Sequence, residues 1–293
     1  MSRRYLPPPP EPELPSSLPR NADTPLLGGR VTVVTGAAQG IGAGIARALG
    51  YHGARLILVD TDERALAATA VDVAAHAEPP VTLVADVTAP ATPQRVRAIG
   101  DDLGGTDILV NNVGDFRPAG TFLDSGPKAW DRMYALNFGH VLAMTHALLP
   151  GMVERGRGNV LNVSSVEGLR GIPGNAVYGA MKAAVVSFTA SLAAEVGQHG
   201  VRVNALAPDF TDTPQTPMWA STDERYADHV GKWVPAGRFG RPNDHGDAAV
   251  FLVSDQSAFV TGTTLRVDGG TLAAPGWFRR DSTRFTNLPR PLG

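Results

Sequence analysis

Residues 31–42 read VTVVTGAAQGIG: a short apolar run, then Gly36, Gly40 and Gly42 spaced around it, then a helical pattern over 40–52. The run is nearly all β-branched, as a strand buried on both faces should be. Glycines at its end let the backbone turn sharply and approach a ligand without Cβ clashes. A helix beginning at that point supplies free N–H groups and a partial positive charge. The stretch therefore reads as a strand–turn–helix unit shaped for a pyrophosphate. The spacing is GxxxGxG, and 33 glycines in the chain would produce some trios by chance. The position between first strand and first helix gives this one its weight. A tight turn that binds nothing is the competing reading.

Outward from this stretch, apolar runs recur at 55–60, 81–87, 107–114, 159–165, 201–208 and 263–270. Helical patterns fall between them at about 62–77, 91–103, 126–149, 174–199 and 243–254. Strand–helix alternation means right-handed crossovers and a parallel sheet. The expected fold is α/β, a Rossmann-type doubly wound sheet of about seven strands with helices on both faces. A single domain over 28–270 is expected. Eight of the 24 prolines lie between Pro7 and Pro25, so 1–27 reads as a disordered or extended arm. Residues 209–234 are too long and too rich in proline and aromatics for a plain crossover and read as a lid. Residues 271–293 form a C-terminal tail carrying Trp277, Phe278 and Phe285, which is expected to be ordered against another subunit.

Composition removes several function classes. The chain has 293 residues, 43% hydrophobic and 18% charged, with a net charge of −2. That balance argues against a nucleic-acid partner, which needs a basic face. With no cysteine, disulfides, thiolate metal sites and a cysteine nucleophile are excluded. The seven histidines form no metal-binding pattern, so no metal is expected. No apolar run of about 18 residues suggests a membrane span. Arg3 and Arg4 precede no apolar core of a secretory signal, so a cytoplasmic location is the default.

The second strand ends at Asp60, where a carboxylate can accept both ribose hydroxyls of an adenosine and repel a 2′-phosphate. No Lys or Arg lies in the glycine turn, and Thr61 follows Asp60, so NAD is favoured over NADP. Capping of the next helix is the bland role for Asp60. Asp86 and Val87 close the third run, placed to meet the adenine or to hold a turn. Asn111, Asn112 and Gly114 end the fourth.

Tyr178 and Lys182 stand four apart near the start of a long helix, hence on one face. The chain has five tyrosines and three lysines, so the pairing is informative. A free phenol titrates near ~10, and a nearby ammonium is expected to lower that value and fit Tyr178 for proton exchange. Ser165 closes the fifth run, on the side where open α/β sheets bind ligands. Its neighbour Ser164 is the candidate for a turn cap. Asn137 sits inside a helical pattern, and asparagine there suggests a bend or a bound water.

These residues resemble one family, the classical short-chain dehydrogenase/reductases, over about 28–270. The resemblance rests on TGAAQGIG (35–42), Asp60, NNVG (111–114), Asn137, NVSS (162–165), YGAMK (178–182), PDFTDT (208–213), GRFGRPND (237–244) and VTGTTLRVDGG (260–270). It implies a tetrad of Asn137, Ser165, Tyr178 and Lys182. In it Tyr178 is the acid/base, Ser165 steadies the substrate oxygen, Lys182 holds the nicotinamide ribose, and Asn137 supports a proton-relaying water. It implies cofactor contacts from Gly36, Gln39, Gly40, Ile41, Gly42, Asp60, Asp86, Val87, Asn112, Gly114, Tyr178, Lys182, Pro208, Thr211 and Thr213. It also implies a homotetramer or homodimer.

Two residues depart from the family's pattern. Asp209 stands where the family usually has Gly, and Glu167 stands two past Ser165, where small residues are usual. The expected function is NAD-dependent hydride transfer between nicotinamide and a small secondary alcohol or ketone. Phe210, Met218, Trp219 and Trp233 in the lid favour an apolar cyclic or acyl substrate. A catalytically silent dinucleotide sensor on the same fold is the alternative. An enoyl reductase would space its Tyr and Lys by seven.

Overall fold

The computed structural model describes residues 16–19, 25–221, 229–274, 276, 278–279 and 285–286. Seven strands make one parallel sheet: β1 (Val31–Thr35), β2 (Arg55–Asp60), β3 (Val81–Val84), β4 (Ile108–Asn111), β5 (Gly158–Val163), β6 (Val201–Pro208) and β7 (Thr264–Val267). Their order is β3-β2-β1-β4-β5-β6-β7. The winding of the sheet reverses after β3, which puts the switch point between β1 and β4, and ligands of such sheets bind outside the carboxyl ends at that point.

Alternation along each strand feeds two cores. Val34, Leu56, Leu58, Ile108, Val110 and Leu161 pack under α1 (Gly40–Tyr51), α2 (Glu63–Ala74) and, further along the chain, Pro242–Val253. Val31, Val33, Ile57, Val59, Leu109 and Val160 face α3 (Thr92–Asp102), the helix His140–Glu154 and the helix Ala176–Val196. The edges differ from the expectation of runs buried on both faces. β3 buries Leu83 but leaves Val81 and Val84 exposed, because an edge strand has no neighbour and less helix above it.

The expected helix at 126–149 is three pieces: α4 (Pro127–Tyr134), a π-helical turn (Ala135–Gly139) and α5 (His140–Glu154). Asn137 lies in the π turn, so the bend that an asparagine suggested at this place is present. α6 (Ala176–Val196) follows β5. Among the described residues of 209–234 are two single-turn helices, α7 (Met218–Ser221) and α8 (Val230–Trp233), before α9 (Pro242–Val253). Beyond β7, β8 (Phe278–Arg279) pairs antiparallel with β9 (Phe285–Thr286). β8 lies beside α8 of the same subunit.

Two expectations about surfaces change. By sequence, Val141, Leu142, Met144, Thr145 and Leu148 give α5 more apolar surface than one buried face requires. All but Leu142 are buried within the subunit, since α5 lies against the sheet and α3. The stretch Ala176–His199, by contrast, is long and apolar enough to cross a membrane by length and composition, although no run of that kind was expected. It is apolar on the face against β5 and β6 and on its outer face as well.

Of the arm, residues 1–15 and 20–24 lie outside the described residues. Ser16 is buried: its hydroxyl bonds Asp247 Oδ1 of α9 at 2.6 Å and meets His52 Nε2 at 3.1 Å. That short segment packs on its own subunit. Trp277 and most of the C-terminal tail also lie outside the described residues.

Candidate active site

A cavity of about 550 Å3 opens at the carboxyl ends of β1–β6. One end is the glycine turn. Gly36 and Gly40 have φ of +66° and +58°, which glycine adopts without strain. A Cβ on Gly42 would lie 2.0 Å from the Gly36 carbonyl oxygen, so nothing larger fits. Gln39 stands at the N-cap of α1 but its side chain makes no cap hydrogen bond, so the first N–H groups of α1 are left for a ligand. Asn112 Nδ2 fastens the turn by donating to the carbonyls of Thr35 (3.0 Å) and Gly36 (3.2 Å).

Asp60 closes β2 and lines the same cavity. Its Oδ2 accepts from Ala38 N at 3.0 Å; its Oδ1 accepts from Thr61 N at 2.7 Å and Asp62 N at 3.1 Å. The cap of α2 is Asp62, which accepts from Ala65 N, so Asp60 is released from that bland role. Asp86 and Val87 also line the cavity, two and three residues past the end of β3. Asp86 Oδ1 accepts from Thr88 N and Oγ1, which makes it a turn-former whose backbone borders the cavity.

The other end collects the remaining predicted residues. Ser164 and Ser165 continue directly from β5. The Ser164 hydroxyl donates to the Lys182 carbonyl at 2.8 Å, the structural role expected of it. The Ser165 Oγ accepts from Glu167 N at 3.2 Å, and its hydroxyl lies near enough to the Tyr178 phenol to favour that phenol's charged form. Lys182 is buried, and its Nζ donates to the Val163 carbonyl at 2.9 Å while lying 5.7 Å from the centre of the Tyr178 ring. Asn137 is fully buried. Its Oδ1 accepts from Asp115 N at 3.0 Å, and its Nδ2 donates to the carbonyls of Asp115 and Met133. Gly114 is required between these groups: a Cβ there would lie 2.8 Å from Lys182 Nζ and 3.0 Å from Asn137 Oδ1. Asn111 turns inward, donating to Thr145 and Asn162 within the core.

Residues that follow β6 border the middle of the cavity. Pro208, Thr211 and Thr213 line the cavity, as do Phe210 and Met218. Thr211 Oγ1 meets His245 Nε2 at 2.8 Å, and Thr213 comes up against Gly40. Trp219 turns away to stack edge-on against Phe239 at 4.8 Å, and Trp233 is exposed, so neither lines the cavity.

The electrostatics correct one expectation. Burial pushes the Tyr178 phenol above its ordinary value, and the nearby Glu167 carboxylate adds to this; the Ser165 hydrogen bond acts the other way. The expected lowering by Lys182 does not prevail. Its own burial brings the ammonium down to about 8, and its Nζ is directed at a backbone carbonyl.

Sequence reasoning missed Phe116 and Gln215. The Phe116 ring meets the Tyr178 ring edge-on at 6.2 Å, and Gln215 Nε2 reaches across the cavity to the Gly114 carbonyl at 3.3 Å. Both sit in irregular segments with no periodicity to mark them. Asp115, beside them, is held below the usual carboxylate range by Arg117, despite partial burial that works against it. Among the described residues no cluster of His, Asp and Glu suited to a metal is found.

A parallel sheet with a glycine turn, a carboxylate at β2 and a Tyr beside a buried Lys across one cavity defines a dinucleotide-binding protein of Rossmann type. A family model described as Enoyl-(Acyl carrier protein) reductase matches residues 36–271. The chain is 40% identical to 2-(S)-hydroxypropyl-CoM dehydrogenase 3 of Xanthobacter autotrophicus, over 84% of this chain and 98% of that one. It is 39% identical to the 3-oxoacyl-[acyl-carrier-protein] reductase of Vibrio cholerae, over 83% and 98%. Among solved structures, the 3-ketoacyl-(acyl-carrier-protein) reductase of Brucella melitensis complexed with NADH superposes with a TM-score of 0.75 at 34% identity, covering 84% of this chain and 99% of that one. The chain belongs to the classical short-chain dehydrogenase/reductase family. It is an oxidoreductase that binds a nicotinamide dinucleotide and acts on a small molecule. The alternative of a silent sensor finds no support in these relatives.

Proposed function

We propose that the protein transfers a hydride between NAD and a secondary alcohol or ketone. The observation that carries this reading is the convergence of Ser165, Tyr178 and Lys182 on the cavity that the glycine turn and Asp60 share. Bound NAD supplies the nicotinamide carbon that exchanges the hydride. The chain's own residues do the rest. Ser165 bonds the reacting oxygen; Tyr178 takes its proton as the phenolate during oxidation and returns it as the phenol during reduction. Lys182 and the cationic ring of the oxidised cofactor oppose the burial that holds the phenol's proton on. Asn137, by fixing Asp115 and the π turn, keeps the floor of the site rigid. Asp60 receives the adenosine ribose, and Thr211 and Thr213 border the nicotinamide.

Around this site we read 28–270 as the domain, 209–234 as its lid, 1–27 as an arm and 271–293 as a tail. The outer face of α6 serves contact with a second copy in a homodimer or homotetramer. The cytoplasm is the location that such a cofactor supply suits. Phe116, Phe210 and Met218 give the substrate an apolar wall.

The test is NADH formation over a panel of cyclic and acyl secondary alcohols, run with wild type and Tyr178→Phe. That substitution keeps the ring and deletes the proton. Turnover should fall by ~10²–10⁴-fold with NADH affinity nearly unchanged. A variant that retains most of the wild-type kcat would refute the role of Tyr178.

A further inference from the structure

The two departures from the family's pattern meet at the substrate end of the cavity. Asp209 is fully engaged: its buried Oδ2 accepts from Arg170 Nη2 at 2.9 Å and from the Thr271 hydroxyl. Glu167 is not. It lines the cavity two residues past Ser165, and its Oε2 is shut off from water with no hydrogen-bond donor among the described residues. A carboxylate oxygen left in that condition is costly unless a ligand completes it. Glu167 lines the cavity, so its carboxylate borders the space that a ligand donor would occupy.

The surrounding charges narrow the donor. Asp209, Arg170 and Lys182 all act on Glu167 through space, so two anions and two cations share this corner. An ammonium would meet both cations, and a carboxylate or phosphate would meet both anions. A neutral hydroxyl meets neither penalty. Its position follows from Ser165, whose Oγ accepts from Glu167 N at 3.2 Å, and from Tyr178, which lines the same cavity. A substrate whose reacting oxygen meets Ser165 and Tyr178 therefore shares that space with the Glu167 carboxylate.

We propose that Glu167 is a specificity-determining residue that receives a hydroxyl on the carbon next to the reacting one, so that the substrate class is a neutral vicinal diol. The inference rests on the oxidoreductase reading above. In oxidation the carbinol hydrogen leaves as hydride to NAD, the hydroxyl proton passes to the Tyr178 phenolate, and an α-hydroxy ketone forms while the second hydroxyl stays bound to Glu167.

The probes are cis-cyclohexane-1,2-diol and cyclohexanol, which share one ring and differ by one hydroxyl. Their Kd values are measured on the enzyme–NADH complex through the fluorescence of the bound nicotinamide. The diol should bind about tenfold more tightly to wild type, the effect of one hydrogen bond to a charged acceptor. Glu167→Ala should bring the ratio close to one, and Glu167→Gln, which keeps an acceptor oxygen, should retain part of it. Equal binding in wild type, or a ratio that survives both substitutions, overturns the proposal. Turnover is scored apart from binding. Failure of either alcohol to yield NADH counts against the oxidoreductase reading of these compounds, whereas the binding ratio decides the role of Glu167 by itself.

Discussion

The proposed preference for NAD over NADP rests on one side chain, Asp60. Three backbone N–H groups fix its carboxylate at the end of β2, so it cannot swing away from an incoming ribose. Lys182, at the far end, is the one Lys or Arg among the described residues lining the cavity. Arg47 borders the adjoining groove, where Asp72 holds it at 3.4 Å. A 2′-phosphate would therefore meet a negative charge with no cation to offset it. Asp60→Ala should raise the ratio of kcat/KM with NADP to that with NAD by at least about tenfold, or about 1.4 kcal/mol. Wild-type enzyme that binds NADPH more tightly than NADH would contradict the reading. At the same scale, Tyr178 shows why residue type alone is insufficient. Burial raises its phenol, and the charge placed beside the ring must overcome that burial before the proton can move.

Elements carry the site because their faces are small where they cross. α1 and α9 pack almost backbone to backbone. A Cβ on Gly44 would lie 2.5 Å from the backbone of Pro242, and one on Gly246 would lie 2.8 Å from Ala48 Cβ and the Gly44 carbonyl. Backbone cannot give way as a flexible side chain can. Gly44→Ala should cost about 1–3 kcal/mol through overpacking, read as a lower urea midpoint at unchanged m-value. Because the N-terminus of α1 faces the cofactor cavity, NADH affinity should weaken in the same variant. A variant as stable as wild type would show that α9 shifts freely. The π turn is the second element-scale device. One extra residue in that turn carries Asn137 inward, where it holds Asp115, which the regular pitch of α4 and α5 would not achieve.

The whole molecule couples folding to pH through two buried histidines. Burial brings both His140 and His245 down from 6.5 to about 4. Between those values the unfolded chain binds the protons that the native state refuses. Stability is thus full above about 6.5 and is lost as pH falls toward about 4, with a slope approaching two protons. The thermal midpoint should drop clearly between pH 7 and pH 5, and a flat profile would mean that these rings accept protons in place. Assembly belongs to the same scale. Tyr134, Phe138 and Phe188 form a ring-to-ring row, partly exposed, beside the outer face of α6. Phe188→Glu should shift the protein to smaller species in light scattering; an unchanged mass would place the interface elsewhere.

The strand–helix alternation, the glycine turn and the four-residue spacing of Tyr178 and Lys182 are local patterns. Each depends on neighbours within one or two turns of chain, so the fold class and the principal candidates of the site were legible in the sequence alone. Pairings across long separations were not. Nothing local in the sequence says that Asp209 joins Arg170 and Thr271, that Phe116 meets Tyr178, or that Gln215 spans the cavity to Gly114. Burial is likewise a property of the assembled layers. It reversed the expected direction at Tyr178, covered the apolar residues of α5 and left Glu167 with an unpartnered oxygen. Sequence determined which chemistry the chain carries at the ends of its strands; tertiary structure decided which of those groups share a low-dielectric space, because only packing removes the water that would otherwise screen them.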